Sequence, residues 1–209
     1  MGDFTDFCTQ IADWANRQDW SPQLVTSFVR MAEQKFNAEL RVDRMINFSS
    51  NIVTCRCSTL PDDWLEMEFV EIANANGANG FLPIRYKARD EFFNLPDRWA
   101  YGYYTMDGRT IYFGGTPDET EGIQYNIKYF GEVPVFSDDP LVPSWIYTKY
   151  PSLYLHAALM HADLHAVGEE ALAANMKQLA EDGITKLNND YFRSRASGSR
   201  LTRTRRRRF

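Results

Sequence analysis

The spacing of apolar residues changes twice along the chain, and this change constrains the fold more than any other feature of the sequence. Up to about residue 46 the apolar residues recur every three or four positions, which is typical of amphipathic helices. Between residues 51 and 130 they alternate with polar residues, as in strands that bury one face. From Val142 the helical spacing returns. This order predicts an α+β fold, in which the first and last helices form one bundle and a small antiparallel β-subdomain is inserted between them.

Residues 1–48 are predicted to supply the N-terminal helices of the bundle. The apolar residues between Phe4 and Trp14 indicate a first helix. Ser21 followed by Pro22 is a helix start signal, because a serine hydroxyl caps the first turn and proline is accepted at its first position. The second helix is predicted to run to about Ile46, with an apolar stripe wide enough to contact more than one neighbour.

Residues 49–141 are predicted to form the β-subdomain. The segments Asn51 to Cys57 and Gly122 to Phe130 both alternate apolar and polar positions. Asp107-Gly108 lies between two further strand candidates and is a strong signal for a two-residue hairpin. Leu60 to Leu65, in contrast, is predicted to be a turn that leads into a short helix.

Residues 142–193 are predicted to supply the C-terminal helices of the bundle. Pro143-Ser144 is predicted to start a short helix through Lys149. A further helix starts at Pro151 and ends at Gly168, and a last long helix follows to about Tyr191. After residue 194 almost no apolar residues remain, and the composition becomes that of a linker. Residues 194–209 are therefore predicted to be an extended basic tail.

The charge of the chain is divided at Arg193. The whole sequence has 23 basic and 28 acidic residues. The segment from Arg193 to Phe209 contains eight arginines and no acidic residue, so the 15 basic and 28 acidic residues before it carry a net charge of −13. An acidic body and a basic tail attract different partners, and we therefore treat them separately.

Three uses of the basic tail are open. Its arginines can contact the phosphates of nucleic acid, with an affinity that falls steeply as salt is added. They can instead dock on an acidic or grooved protein surface, with the terminal phenylalanine as an apolar anchor. The third possibility is a solvated tail that has no partner. The candidate contact residues are Arg193, Arg195, Arg200, Arg203, Arg205, Arg206, Arg207, Arg208 and Phe209.

The sequence offers little support for catalysis. His161 and His165 are four residues apart on one predicted helix, where they can share a metal ion, but His156 lies about 140° around that helix from His161. Cys55 and Cys57 point to one face of a predicted strand and are expected to be small buried residues. Because no nucleophile and base are paired by spacing, we expect no enzyme, no catalytic or metal-binding residue and no cofactor. A metal enzyme that uses the three histidines is the weakest alternative.

Membrane insertion and secretion are not predicted either. No segment approaches the ~20 apolar residues of a transmembrane helix. The first residues include acidic side chains and lack the basic start of a secretory signal. Three cysteines are too few for a disulfide framework and fit a reducing compartment.

Three stretches of the sequence carry a resemblance to a known family. They are Phe28–Val42 (FVRMAEQKFNAELRV), Leu60–Glu66 (LPDDWLE), and Tyr125–Phe130 (YNIKYF) with Pro134, Asp138-Asp139, Trp145 and Tyr150–Leu159 (YPSLYLHAAL) after it. With the order of elements, they make most of residues 1–193 similar to the head-to-tail adaptor (connector) proteins of tailed bacteriophages.

The resemblance implies a structural virion protein at the portal vertex, in the tail neck, that is assembled in the host cytoplasm. Proteins of this family form a homo-oligomeric ring, usually dodecameric, below the portal protein. The ring extends the channel through which packaged double-stranded DNA passes during genome ejection, and it offers a platform to tail or nozzle proteins. The family also implies attachment to the portal through the C-terminal segment, which by position is Arg193 to Phe209 here.

A closed ring requires two different faces of each subunit to meet. The apolar stripe of the second helix and the aromatic sheet are the candidate faces. The candidate interface residues are Phe28, Met31, Lys35, Tyr101 and Tyr103. The alternative function is a nucleic-acid-binding module that uses the arginine-rich tail as its arm.

Overall fold

The structure, a computed structural model, divides into two compact units. It describes residues 4–73, 80–96, 102–114, 122–136, 144–162 and 170–203. One unit, here called the helical unit, consists of Met1–Asp43 and Val133–Phe209. The other, called the sheet unit, consists of Arg44–Glu132.

Most of the helices in the described ranges belong to the helical unit. In chain order the α-helices are α1 Phe4–Trp14, α2 Pro22–Glu39, α3 Arg89–Phe93, α4 Trp145–Lys149, α5 Pro151–Ala162 and α6 Glu170–Arg203. The short helix α3 belongs to the sheet unit, and a 3₁₀ turn at Asp43–Met45 spans the boundary at which the chain enters that unit. Helix α5 packs against both α2 and α6 and is therefore the centre of the helical unit.

The start of α2 is fixed by a hydrogen bond between neighbouring residues, and its end by hydrogen bonds to a residue far away in the sequence. The start is confirmed, because the hydroxyl of Ser21 accepts a hydrogen bond from a backbone N–H of the first turn at 3.3 Å. At the other end the side chain of Asn188, in α6, accepts a hydrogen bond from the Arg41 backbone at 2.7 Å and donates one to the Glu39 carbonyl at 2.8 Å. The cap comes from a distant part of the sequence, and for this reason the predicted end near Ile46 lies several residues too late.

A carboxylate lies in the core of the helical unit. Glu33 is only 3% exposed, and its Oε1 accepts hydrogen bonds from the Phe136 backbone N–H at 2.7 Å and from the Tyr154 hydroxyl at 2.5 Å. Burial, followed by the charge of Glu33, raises the pKa of Tyr154, so its hydroxyl keeps the proton that it donates. The aromatic cluster around this group consists of Phe4, Phe7, Phe36, Phe136, Tyr147 and Tyr154. Pairing offsets the large cost of placing a charge among these rings.

Helices α5 and α6 approach closely at a glycine. A Cβ atom at Gly183 would lie 2.7 Å from Cδ1 of Leu153, which is shorter than any ordinary contact between carbon atoms. Ala180 and Ile184, on the same side of α6, are buried. The glycine therefore lets the long helix dock directly on α5.

The sheet unit is built on seven strands. In chain order they are β1 Ile46–Val53, β2 Cys57–Thr59, β3 Trp64–Ala73, β4 Phe81–Tyr86, β5 Tyr103–Asp107, β6 Thr110–Phe113 and β7 Ile123–Gly131. Their order in the sheet is β1-β7-β3-β4-β5-β6-β2. All neighbours are antiparallel except β4 and β5, which are parallel.

The predicted fold class, a helical bundle with a small antiparallel β insert, is wrong. The described residues form a mixed α/β structure in which seven strands make one sheet with its own hydrophobic core. Apolar alternation shows which face of a strand is buried, but it does not show which strand lies beside it. Neither the extent of the sheet nor its parallel pair could therefore be predicted from the pattern.

The longest strand lies where a helix was expected. The segment Trp64–Ala73, predicted to begin a short helix, is strand β3 and lies between β7 and β4. Val70 and Ile72 bury their side chains while Glu71 between them does not, which is a period of two. In contrast, the hairpin at Asp107-Gly108 is confirmed, since Asp107 pairs with Thr110 and Gly108 has a φ of +57°.

The sheet is nearly closed, because its two end strands are consecutive in sequence. Strands β1 and β2 are at opposite ends of the strand order, yet only residues 54–56 separate them. Such a link spans at most about 15 Å between the Cα atoms of Val53 and Cys57. We call residues 54–57 the seam of the sheet. The Phe113 backbone N–H donates a hydrogen bond to the Arg56 carbonyl at 2.8 Å, which ties the seam to β6.

The extended tail predicted from residue 194 is also wrong. Helix α6 continues to Arg203 and is 34 residues long. Alanine and arginine are strong helix formers, and Gly198 alone costs only about 1 kcal/mol relative to alanine. Basic residues also favour the C-terminal end of a helix, where the macrodipole is negative. Residues 204–209 lie outside the described residues.

Candidate assembly surfaces

The histidines do not form a metal site within the described ranges. His156 and His161 lie on α5, and His165 lies outside the described residues. Burial lowers the pKa of His156, and burial together with the charge of Lys35 lowers that of His161, so both side chains are neutral at neutral pH. No group of three or more metal-ligating side chains was found in this part of the chain.

The two cysteines of the CxC motif are not buried, contrary to the prediction. Strand β1 ends at Val53, so Cys55 lies in the bend that follows and Cys57 begins β2. Cys55 is exposed and Cys57 is half-buried. Their Sγ atoms are 3.9 Å apart.

The basic end of α6 begins directly after Tyr191. Tyr191 is buried, whereas the four residues that follow it are exposed. The side chain of Arg193 is 83% exposed and lies 4.0 Å from Asp190, a distance at which an ion pair contributes little. Arg195 instead donates a hydrogen bond to the Tyr191 hydroxyl at 2.9 Å, and its guanidinium lies 5.5 Å from the centre of that ring.

Helix α6 is about 51 Å long at 1.5 Å per residue. Despite this length, neither it nor any other helix in the described ranges is apolar enough to cross a bilayer. Positions 186, 193 and 200 are seven residues apart and therefore form a line along the helix. They hold Lys186, Arg193 and Arg200, while Arg203 lies in the last turn. The predicted contacts Arg205, Arg206, Arg207, Arg208 and Phe209 lie outside the described residues.

The predicted ring-interface residues have different environments. Phe28 is fully buried in the helical unit and packs edge-on against Trp20, so it has no surface left for another subunit. Met31 is exposed on α2. Lys35 links α2 to α6, with its Nζ 2.7 Å from Glu39 and 3.9 Å from Glu181.

The sheet-unit residues of that set can be placed only in part. Tyr103 is half-buried on β5, and the Nζ of Lys87 lies 5.0 Å from the centre of its ring. Tyr101 lies outside the described residues. Tyr103 therefore keeps an accessible edge, whereas one face of its ring is covered by a cation.

A row of exposed side chains crosses the outer face of the sheet, and sequence reasoning missed it. Lys128 on β7 pairs with Phe48 on β1 and with Phe69 on β3, so the three side chains share a face. Phe48 is 75% exposed, and Ile52, farther along the same face of β1, is 65% exposed. The Lys128 ammonium lies 5.8 Å from the centre of the Phe48 ring and 2.9 Å from Oε2 of Glu68. The signal in the sequence was the apolar set Ile46, Phe48 and Ile52 at alternate positions of β1.

Strand β1 is an edge strand in the described part of the sheet. Its eight residues, INFSSNIV, include no charged side chain and no proline. Edge strands usually carry such residues, because exposed backbone N–H and C=O groups invite pairing with another chain. β1 thus carries exposed apolar side chains and lacks the charges and proline that usually protect an edge strand.

The sheet unit also contains an apolar groove of about 300 Å³. Trp64 and Met67 of β3 line one side, and Tyr104 and Met106 of β5 line another. Burial raises the pKa of Tyr104, so its hydroxyl remains neutral at physiological pH. Side chains of this kind suit an apolar segment of a partner better than a charged metabolite.

The comparison with protein families connects these surfaces to a function. No curated protein sequence matched the chain at a significant level. The family model described as SU10 adaptor protein matched residues 3–208, which is nearly the whole chain. This match confirms the resemblance on which the sequence analysis relied, and the chain belongs to the SU10 adaptor protein family of phage head-to-tail adaptors.

Proposed function

We propose that this chain is a head-to-tail adaptor that forms a ring at the portal vertex and docks on the portal protein through the basic end of α6. Family membership identifies a structural virion protein that associates with other virion proteins, such as those of portal and tail. The observation that carries the finer proposal is the division of α6 at Tyr191. Up to that residue the helix packs on its own unit, whereas residues 192–195 are exposed and the sequence beyond Tyr191 is basic.

The first part of α6 is a rigid base for docking. Met176, Ala180, Ile184 and Tyr191 are buried and recur at helical spacing. The contact of Gly183 with Leu153 fixes the distance between α6 and α5. A partner that binds the end of α6 is therefore connected directly to the core of the helical unit.

The second part of α6 has the chemistry of a docking segment. Phe192 and Arg193 are exposed next to each other, so an apolar contact and a guanidinium can reach the same partner. Arginine forms paired hydrogen bonds with carboxylates, which favours an acidic groove on the portal. A segment that is already helical to Arg203 loses less conformational entropy on binding than an extended tail does.

The ring is proposed to form through a heterologous interface, with about a dozen copies as the family implies. Met31 on the helical unit and Tyr103 on the sheet unit are exposed or partly exposed and remain candidates, as does Tyr101. The exposed row of Phe48, Lys128 and Phe69 provides a further candidate surface.

The charge of the body suits a channel for DNA. Residues 1–192 carry a net charge of −13. A ring of such bodies repels packaged DNA from the channel wall, so that the genome slides during ejection instead of adhering. The arginines of the C-terminal segment then contact the portal protein and not the DNA.

Binding to purified portal protein tests the docking segment. A variant that ends at Arg195 removes six arginines but keeps the contact between Tyr191 and Arg195 that holds the end of the helix. We expect its affinity for the portal to fall at least tenfold, which corresponds to about 1.4 kcal/mol or more. Circular dichroism and unfolding should show that the truncated body still folds.

A matched variant separates arginine geometry from charge. Replacement of the same six arginines by lysine keeps the charge but removes the planar fork, so we expect intermediate affinity. Equal binding of the portal by the full chain and by the chain that ends at Arg195 would rule out docking through residues 196–209.

The density of arginines also supports a second function, nucleic-acid binding by the same segment. Six arginines lie within the last ten residues, and none of these residues is acidic. In that case the isolated protein should bind duplex DNA with an affinity that falls about a thousandfold between 50 and 200 mM salt. Weak or salt-independent binding, together with tight portal binding, would favour the adaptor proposal.

A further inference from the structure

The two cysteines at the seam of the sheet are held close together by the backbone. Cys55 and Cys57 flank Arg56 in the link between the two end strands, and their Sγ atoms are 3.9 Å apart. The Cys55 thiol is also 3.1 Å from the carbonyl oxygen of Cys57, to which it donates. Two residues that are two positions apart have Cα atoms no more than about 7 Å apart, which reaches the range that a disulfide bridges.

The surroundings of this pair favour a disulfide over a metal site. A thiolate pair needs further ligands to complete a tetrahedral site, and the residues that the structure describes supply no third ligand. A disulfide needs only the two sulfur atoms. They must approach by about 1.9 Å to reach a bond length of about 2.05 Å, which is a side-chain movement on an exposed bend.

We propose that Cys55 and Cys57 are a modification site, a reversible dithiol–disulfide pair that locks the seam of the sheet. The oxidant is a small-molecule disulfide such as oxidised glutathione. The exposed Cys55 thiolate attacks one sulfur of that disulfide, a mixed disulfide forms, and one glutathione thiolate leaves. The Cys57 thiolate then attacks the Cys55 sulfur and releases the second glutathione thiolate.

The reaction balances with one oxidant. The two protons of the cysteine thiols pass to the two glutathione thiolates, so two protein thiols are oxidised and one glutathione disulfide is reduced to two thiols. Cys55 is the more exposed of the two cysteines, which leaves the first attack to its thiolate. The hydrogen bond between the two protein thiols raises the pKa of Cys57.

Locking the seam would hold the two end strands of the sheet together. Cys57 pairs with Tyr112 of β6, and the carbonyl of Arg56 accepts the hydrogen bond of the Phe113 backbone. A bond between the residues on both sides of Arg56 restricts the link that carries this contact. If the virion is assembled in the reducing host cytoplasm, as the family resemblance implies, the bond forms after release into an oxidising medium.

Oxidation of the isolated full-length protein tests this site without any portal. After incubation with oxidised glutathione, we expect the monomer to lose two hydrogen atoms in mass and two of its three thiols under denaturing titration. Peptide mapping should join Cys55 to Cys57. Cys8 should stay free, because it is half-buried and burial raises its pKa to about 11.

Single substitutions supply the controls. Cys8→Ser should still lose two thiols, whereas Cys57→Ser should stop at a glutathione adduct on Cys55. In the oxidised wild type, exchange of the Phe113 amide hydrogen should slow by about threefold or more, because it depends on opening of the bond to Arg56. Reduction should restore the original rate.

Four results would overturn the proposal. They are three free thiols after oxidation, glutathione on both cysteines, cross-linked dimers in place of the intramolecular bond, and an unchanged exchange rate at Phe113. Because none of these measurements involves the portal, failure here leaves the docking of α6 untouched, and failure of docking leaves the seam untouched.

Discussion

The helical unit and the sheet unit use their large side chains in different ways. In the helical unit the aromatic cluster closes around Glu33, and the buried carboxylate is paired with a backbone amide and a tyrosine hydroxyl. In the sheet unit Phe48 and Ile52 point outward along one face of an edge strand. A unit that satisfies its own groups is a stable base, whereas a unit that leaves an apolar row exposed is suited to a partner. Stability should therefore depend on inward residues, and assembly on outward ones.

The first contrast concerns stability at the buried carboxylate. Glu33→Ala leaves the Tyr154 hydroxyl and the Phe136 N–H without their partner, so we expect a loss of about 3 kcal/mol in the free energy of unfolding. Denaturant unfolding followed by circular dichroism measures it. Glu39→Ala is the control, because its ion pair with Lys35 is partly exposed and worth less than about 1 kcal/mol. Similar losses in both variants would mean that the paired core is not what holds the helical unit.

Opposite faces of one sheet provide the second contrast. Ile127 on β7 is buried, so Ile127→Ala should cost about 2–5 kcal/mol of stability. Phe48→Ala should cost less than about 0.5 kcal/mol, because the side chain is already in solvent. For assembly we expect the opposite order of effects. Phe48→Ala should reduce ring formation more than Ile127→Ala does, as measured by native mass spectrometry. Full ring formation by Phe48→Ala would show that the exposed row is not an interface.

The third contrast is between the reactivity of Cys8 in the helical unit and that of Cys55 in the sheet unit. Burial raises the pKa of the Cys8 thiol from its ordinary value of 9.0 to about 11. Its thiolate fraction at pH 8, and hence its alkylation rate, should be about a hundredfold lower in the folded chain than after unfolding. Iodoacetamide labelling followed by peptide mass analysis should therefore modify the exposed Cys55 well before Cys8. Equal labelling rates in the native protein would contradict the burial of Cys8.

The smallest effect is expected at the basic end of α6. Arg195→Ala removes a hydrogen bond and a cation–π contact to Tyr191, so the end of the helix should become less stable by about 1 kcal/mol. Arg193→Ala should change it by less than about 0.5 kcal/mol. Amide exchange over residues 192–203 distinguishes the two variants. A larger effect on amide exchange from Arg193→Ala than from Arg195→Ala would contradict the conclusion that Arg195 anchors the end of the helix.

Local signals in the sequence predicted local structure well. Ser21 with Pro22 starts α2, and Asp107-Gly108 turns β5 into β6, because both signals act through hydrogen bonds and backbone angles within a few residues. The extent of α6 was missed because a linker-like composition was given more weight than the helix propensity of alanine and arginine.

Features that depend on distant contacts could not be predicted. Asn188 caps α2 from α6, and Glu33 finds its partners more than 100 residues away. Strand β3 is a central strand only because β7 and β4 lie on both sides of it. The exposure of Cys55 follows from the point where β1 ends, which in turn depends on pairing with β7. The charge of the C-terminal segment indicated the arginines as docking residues. It did not indicate that Tyr191 holds Arg195 in place.

The most direct test of the account is an image of the assembled portal complex at a resolution that traces α6. The account predicts a ring of these chains with residues 193–209 of each copy in contact with portal protein, and with the body of each copy outside that contact. Density for these residues that faces the DNA channel or points away from the portal would contradict it.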